Sequence, residues 1–289
     1  MTGLDLRPLS LGEILDRTFS LYRRHFVLFI GITAIPHLLT LALGLVQILF
    51  LQNPVVIDKN VRPRTIMVPL HGIGLTIIFG LVTIVVGLFV YLWSQGGTIL
   101  AVTELYLGRQ TSISASLRRV WGNLASLFGV IVLNGLATVG ALLLLVIPGL
   151  YVACRLLVSL PAALVEGRGP SESLSRSWNL TRDYAGRAFV LYALYFVLEL
   201  GIGALPAASV GFAIDAAKND PAMLHMWLAA QQVANSLLSI IVSPFILIGT
   251  SIFYFDLRVR KEAFDLQFMM DPTSECVAGS SGAAPSILS

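Results

Sequence analysis

The chain has 289 residues, 56% of them hydrophobic and only 12% charged, with a formal net charge of +3 and a mean hydropathy of +0.83. A soluble domain carries about a quarter charged residues, so this composition leaves too little polar surface for water and excludes an ordinary water-soluble fold. The small net charge makes no case for nucleic acid, and the two cysteines, Cys154 and Cys276, give neither a disulfide framework nor metal-ligand spacing.

The first 25 residues mix Asp5, Glu13 and Asp16 with arginines and show no small-residue cleavage site. No removable signal peptide is expected there. Ser10 with Glu13 matches a capping box, which predicts an amphipathic helix starting at that point. Leu11, Leu15, Thr18, Phe19 and Tyr22 share its apolar face at helical spacing, as in a helix lying in a membrane interface.

Six apolar runs of spanning length follow, over residues 26–51, 69–103, 124–147, 150–165, 188–214 and about 227–255. Pro148-Gly149 is expected to break the chain between the third and fourth runs, making a tight helical hairpin. The second and sixth runs exceed one bilayer, so they are expected to tilt, project, or kink near Gly96-Gly97 and Pro244. The loop 52–68 reads as irregular surface, and the tail 271–289, rich in Ser, Gly, Ala and Pro, as disordered.

Three times a short basic segment carrying an arginine, with an aromatic two residues later, leads into an apolar run: Arg17 with Phe19, Arg119 with Trp121, and Arg176 with Trp178. Each returning run ends in an acid followed shortly by arginine: Glu104 with Arg109, Glu166 with Arg168, and Asp256 with Arg258. The expected fold is therefore all-α. It is a polytopic membrane protein with six transmembrane helices in three repeats of an amphipathic interfacial helix plus two spans. Residues 1–270 form a single domain, with repeat units at about 8–107, 108–166 and 167–262. Two-span units all point the same way, which predicts a pseudo-threefold axis along the membrane normal.

Lys and Arg crowd the N-terminal segment, the loops after the second and fourth runs, and the C-terminal segment, against only Lys59, Arg62, Arg64 and Lys218 on the other side. By the positive-inside bias, the protein is expected in the cell membrane as a multi-pass protein with both termini cytoplasmic.

Three separated stretches carry a resemblance to a known family. They are Arg7-Pro-Leu-Ser-Leu-Gly-Glu-Ile-Leu-Asp-Arg-Thr-Phe19, then Glu166-Gly-Arg-Gly-Pro170 with Arg176-Ser-Trp178, and Tyr254-Phe-Asp-Leu-Arg-Val-Arg-Lys-Glu262 with Asp265. Together they resemble the bacterial glycerophosphoryl diester phosphodiesterase membrane-domain family, over nearly the whole chain apart from the tail. That resemblance implies a membrane fold and location. It does not extend to the phosphodiesterase activity, because the His-Arg pair and Glu-x-Asp cluster of the soluble barrel find no match among His25, His37, His71 and His225.

Ionisable residues inside a span are costly unless paired, which makes Glu199, Arg155 and His37 the intramembrane candidates. Glu199 and Arg155 are expected to pair between neighbouring spans, and His37, after Pro36, to hydrogen-bond a freed backbone group. In the amphipathic segments, Glu13 to Arg17 and Glu172 to Arg176 have the favourable order for helical ion pairs. The rim positions Arg17, Arg119, Arg176, Glu104, Glu166, Asp256 and Arg258 form the second constellation, a ring of acids and bases. No phosphate loop, nucleophile elbow or zinc-type His pair occurs. The expectation is a non-enzymatic scaffold or accessory subunit with no cofactor or metal, contacting membrane lipids, anionic ones above all, or a protein partner. The alternative is a transporter or lipid-handling protein with a polar path between the units.

Overall fold

In the computed structural model, the described residues are 8–48, 56–57, 66–67, 70–217 and 221–262. They form ten helices and one two-residue antiparallel pairing of β1 (Val56–Ile57) with β2 (Ile66–Met67). This pairing lies in the stretch expected to be irregular. The tail 271–289 and the residues Lys59, Arg62, Arg64 and Lys218 lie outside the described residues.

The first helix, α1 (Leu11–Arg24), starts where the capping box places it. The Ser10 backbone N–H donates to Glu13 Oε2 at 2.7 Å, and the Glu13 N–H donates to Ser10 Oγ at 3.2 Å. Its buried face is set by Ile14 and Thr18, and Phe19 points outward with 57% of its surface exposed, which corrects the expected face. After His25 the chain enters α2 (Phe26–Val46), and later α3 (Leu70–Tyr106). At a rise of about 1.5 Å per residue, α3 is roughly 55 Å long, well beyond a hydrocarbon core of about 30 Å. It runs through Gly96-Gly97 without a break.

The second amphipathic helix, α4 (Ile113–Val120), is capped by Ser112 and passes through a single 3₁₀ turn, Trp121–Asn123, into α5 (Leu124–Leu144). The break after α5 falls at Leu145, whose backbone is extended, and not at Pro148-Gly149. Pro148 instead sits in the first turn of α6 (Val146–Arg155), where a missing N–H costs nothing because that group has no intrahelical acceptor. Gly149 serves close approach: a Cβ there would lie 2.7 Å from the Leu142 Cα, so only glycine lets α5 and α6 pack back to back.

The fourth expected run is two helices, since residues 156–158 interrupt it between α6 and α7 (Ser159–Glu166). The interruption's polar groups are answered by neighbours. The Asn134 side-chain amide donates to the Leu156 carbonyl and Ser159 Oγ, and Ser177 and Thr181 hydroxyls donate to the Arg155 carbonyl. The third amphipathic helix, α8 (Pro170–Leu180), leads to α9 (Ala185–Ala217), and α10 (Pro221–Glu262) carries Pro244 inside one continuous helix.

Five of these stretches are long and apolar enough to cross a membrane among the described residues, and six if the pair α8 with the first part of α9, bent by 111°, is taken as one. Leu143, Leu144 and Ile147 are each at least four-fifths exposed. Such a surface is tolerable in hydrocarbon and not in water. The chain is a helical, multi-pass membrane protein.

By compactness the chain divides into two units, each with its own packing. One comprises Leu92–Phe196 with the chain up to Ile32 and from Pro244. Its core gathers Ile14, Phe29, Val102, Leu191, Phe253 and Phe255, with Tyr106 stacked on Phe255 at 4.8 Å. The other comprises Thr33–Tyr91 and Val197–Ser243. Within it the Thr33 hydroxyl donates to the Ile240 carbonyl at 3.1 Å, tying α2 to α10.

Candidate functional site

The rim constellation assembles entirely within the first unit, where the amphipathic helices meet the ends of α3, α7 and α10. Glu104 and Glu166 are each met by the amphipathic helix that follows, and Asp256 by the main chain just ahead of α1. Glu104 accepts from Arg119 of α4 at 2.6 Å, with Arg109 at 3.7 Å. The turn between them passes through Gly108 at positive φ.

Glu166 closes α7 and is fully buried at its side chain. Gly167, at φ +63°, takes the left-handed position that ends the helix, which swings Arg168 back onto Glu166 at 2.5 Å. Arg176 of α8 donates from Nε to both Glu166 oxygens at 2.9 Å. The Tyr254 hydroxyl of α10 donates to Oε1 at 2.8 Å, and Arg258 stands 3.9 Å away. Arg176 also pairs with Glu262, which accepts from Arg258 Nε at 3.1 Å. Arg176 thus turns to Glu166 and Glu262, correcting the expected pairing with Glu172, which is exposed.

Asp256 is the third acid, and its partners differ from the expectation. Asp256 and Arg258 are two residues apart on one helix and so face different ways. Asp256 instead accepts from Arg260, one turn on, at 3.0 and 3.1 Å, and from Arg187 of α9 at 3.1 Å. It also accepts from the Leu9 backbone N–H at 2.6 Å. Arg187 and Arg260 both donate to the Leu9 carbonyl at 2.6 Å. Arg17 is half-buried on α1 and is not among the Asp256 ligands; the main chain just ahead of α1 takes that place.

Residues 11 positions ahead of each acid repeat the plan. Trp93 Nε1 donates to the Leu117 carbonyl at 2.8 Å, Arg155 Nη2 donates to the Trp178 carbonyl at 2.5 Å, and the Phe245 ring meets Tyr22 edge-on at 6.4 Å. This equal spacing was readable from the sequence, once the acids were aligned, and marks the residues that seat each amphipathic helix. Glu262, Tyr254, Arg187, Arg260 and Lys261 carry no such signal in their own neighbourhoods.

Lys261 bridges to Asp183 at 2.9 Å and to the Asn179 carbonyl at 2.6 Å. The Lys261 ammonium bonded to it holds the Asp183 carboxyl below the usual carboxylate range, helped by the charges of Arg182 and Arg155.

Of the intramembrane candidates, Arg155 belongs to the first unit, and His37 and Glu199 to the second. Arg155 is 2% exposed and rests against the Trp178 ring at 4.5 Å and the Tyr151 ring at 5.7 Å. Arg155 sits at the end of α6 facing α8, and Glu199, its expected partner, is an exposed residue of α9 with no ion pair among the described residues. His37 donates through its ring to the Thr33 carbonyl one turn back at 2.8 Å, a local bond beside Pro36.

Chemically the rim is a set of closed ion clusters. Both oxygens of Glu166 and of Asp256 are engaged by donors, so neither carboxylate is poised to move a proton. Among the described residues no group of three His, Cys, Asp or Glu side chains is arranged to hold a metal ion. Compared with known proteins, the chain matches no family model, no curated protein and no solved structure.

Proposed function

We propose that this protein is a non-catalytic membrane scaffold or accessory subunit, built from three repeats, whose basic rim faces the cytoplasm and contacts anionic lipid or a protein partner. The single observation that carries this reading is the way the rim spends its acids. Glu104 and Glu166 each bind the amphipathic helix that follows, and Asp256 binds the chain just ahead of α1, so each of the three segments is fastened to an acid near the end of a long helix or of α7. A device that fastens interfacial helices presents a fixed surface at the headgroup level, which suits docking. The resemblance to the glycerophosphoryl diester phosphodiesterase membrane-domain family agrees with this reading, since that family places such a region in the bacterial cell membrane.

A transporter needs a polar path in which intramembrane groups face a shared space. Arg155 donates to the Trp178 carbonyl and His37 to the Thr33 carbonyl one turn back, and Glu199 holds no ion pair among the described residues. Such local engagement of Arg155 and His37 favours the scaffold. The test is capture of the tagged full chain from native membranes with crosslinking, beside a flux assay on reconstituted vesicles. A stoichiometric partner with silent flux supports the scaffold; solute or ion flux lost in Glu199→Gln with folding intact overturns it.

A further inference from the structure

The α8–α9 turn and the end of α10 enclose an open cavity of about 520 Å³ lined by Arg176, Asn179, Arg182, Asp183, Lys261 and Glu262, among others. Its cations are unequally satisfied. Arg176 is held by Glu166 and Glu262, and Lys261 by Asp183 and the Asn179 carbonyl. Arg182 is exposed and has no ion-pair partner among the described residues. Behind the turn lies Arg155, buried without a carboxylate partner among the described residues, its Nε lacking an acceptor.

At this corner Arg168, Arg176, Arg258 and Lys261 share three carboxylates, Glu166, Asp183 and Glu262, while Arg155 and Arg182 pair with none among the described residues. Trp178 lies one helical turn before Arg182, is 39% exposed, and belongs to the residue type that settles at the headgroup level.

We propose that this cavity binds an anionic phosphate group, with Arg182 and Lys261 as its ligands and Asp183 as the internal competitor that the phosphate displaces from Lys261. The inference rests on the scaffold reading above and names the chemistry that its rim recognises. A guanidinium offers two parallel N–H donors to a phosphate and an ammonium supplies a point charge, a combination that takes phosphate in preference to a neutral polar group. The group has two sources, a phospholipid headgroup or inorganic phosphate. A choline headgroup is disfavoured in either case, since its cation meets Arg182 and Lys261.

The test uses the full chain in detergent micelles, titrated with phosphatidylglycerol, phosphatidylcholine or inorganic phosphate, with bound species counted by native mass spectrometry. The expected result is preferential retention of phosphatidylglycerol or of phosphate over phosphatidylcholine. Whichever of the two binds identifies the source. Arg182→Gln with Lys261→Gln should weaken binding by about tenfold or more, and the charge-matched control Arg23→Gln with Arg118→Gln should leave it within about twofold. Asp183→Asn should strengthen binding, an outcome that misfolding does not produce. Equal loss in the control pair, unchanged affinity in the Arg182 and Lys261 pair, or no gain in Asp183→Asn overturns the proposal. Capture and flux read the scaffold, whereas this titration reads the cavity, so either can fail alone.

Discussion

Asp256 near the end of α10 accepts a hydrogen bond from the backbone N–H of Leu9 across 247 residues of sequence, at 2.6 Å. The same short segment is clasped through its carbonyl by Arg187 and Arg260, so one residue's main chain joins the start of the chain to α9 and α10. Asp256→Ala removes the acceptor and leaves two arginines and a buried N–H without it. It should destabilise the protein by about 3 kcal/mol, as breaking a buried charged network does. Thermal unfolding in detergent checks this, and a shift of less than a degree or two would argue that the clasp contributes little.

Glu104 and Glu166 hold equivalent places but differ in burial. The Glu166 side chain is fully buried with the 18%-exposed Arg176 against it, whereas Glu104 is 17% exposed and its partners Arg119 and Arg109 are 43% and 31% exposed. Glu104→Ala should therefore cost at most about 1 kcal/mol, the range of solvent-screened pairs. Glu166→Ala removes the buried acceptor shared by Arg168, Arg176 and the Tyr254 hydroxyl and should cost about 3 kcal/mol or more. Adding Tyr254→Phe to Glu166→Ala removes the buried hydroxyl left without its acceptor and should recover part of that loss, which a double-mutant cycle on unfolding midpoints reads.

Two glycines of the α5–α6 hairpin make opposite predictions. At Gly149 a methyl meets the Leu142 backbone, so Gly149→Ala should destabilise by about 1–3 kcal/mol. At Gly140 no atom lies within 4 Å of an added Cβ, so Gly140→Ala should stabilise the helix by up to about 1 kcal/mol. Equal shifts in unfolding midpoint for the two variants would contradict the close contact.

Glu199 is exposed on α9 and holds no ion pair among the described residues. Glu199→Gln should leave the unfolding midpoint within the scatter expected of an isolated surface change, about 0.5 kcal/mol. A large loss would mean that the carboxylate has a partner in the working protein.

The sequence by itself determined the helical membrane class, the capping-box start of α1, the three amphipathic segments and the acids that close α3, α7 and α10. These follow from composition, helical periodicity and local backbone chemistry, each contained within a few residues of chain. Arg109 beside Glu104 and Arg168 beside Glu166 are local partners, the latter because Gly167 turned the chain, and the tertiary structure alone decided the rest. Arg258 left Asp256 because residues two apart on a helix diverge, and Leu9 answered Asp256 from 247 residues away. Arg155 likewise went to Trp178, because its side chain at the end of α6 faces α8. An ion pair is decided by where side chains arrive after the helices have packed, and Coulomb attraction at 3 Å carries no mark in the sequence between its partners.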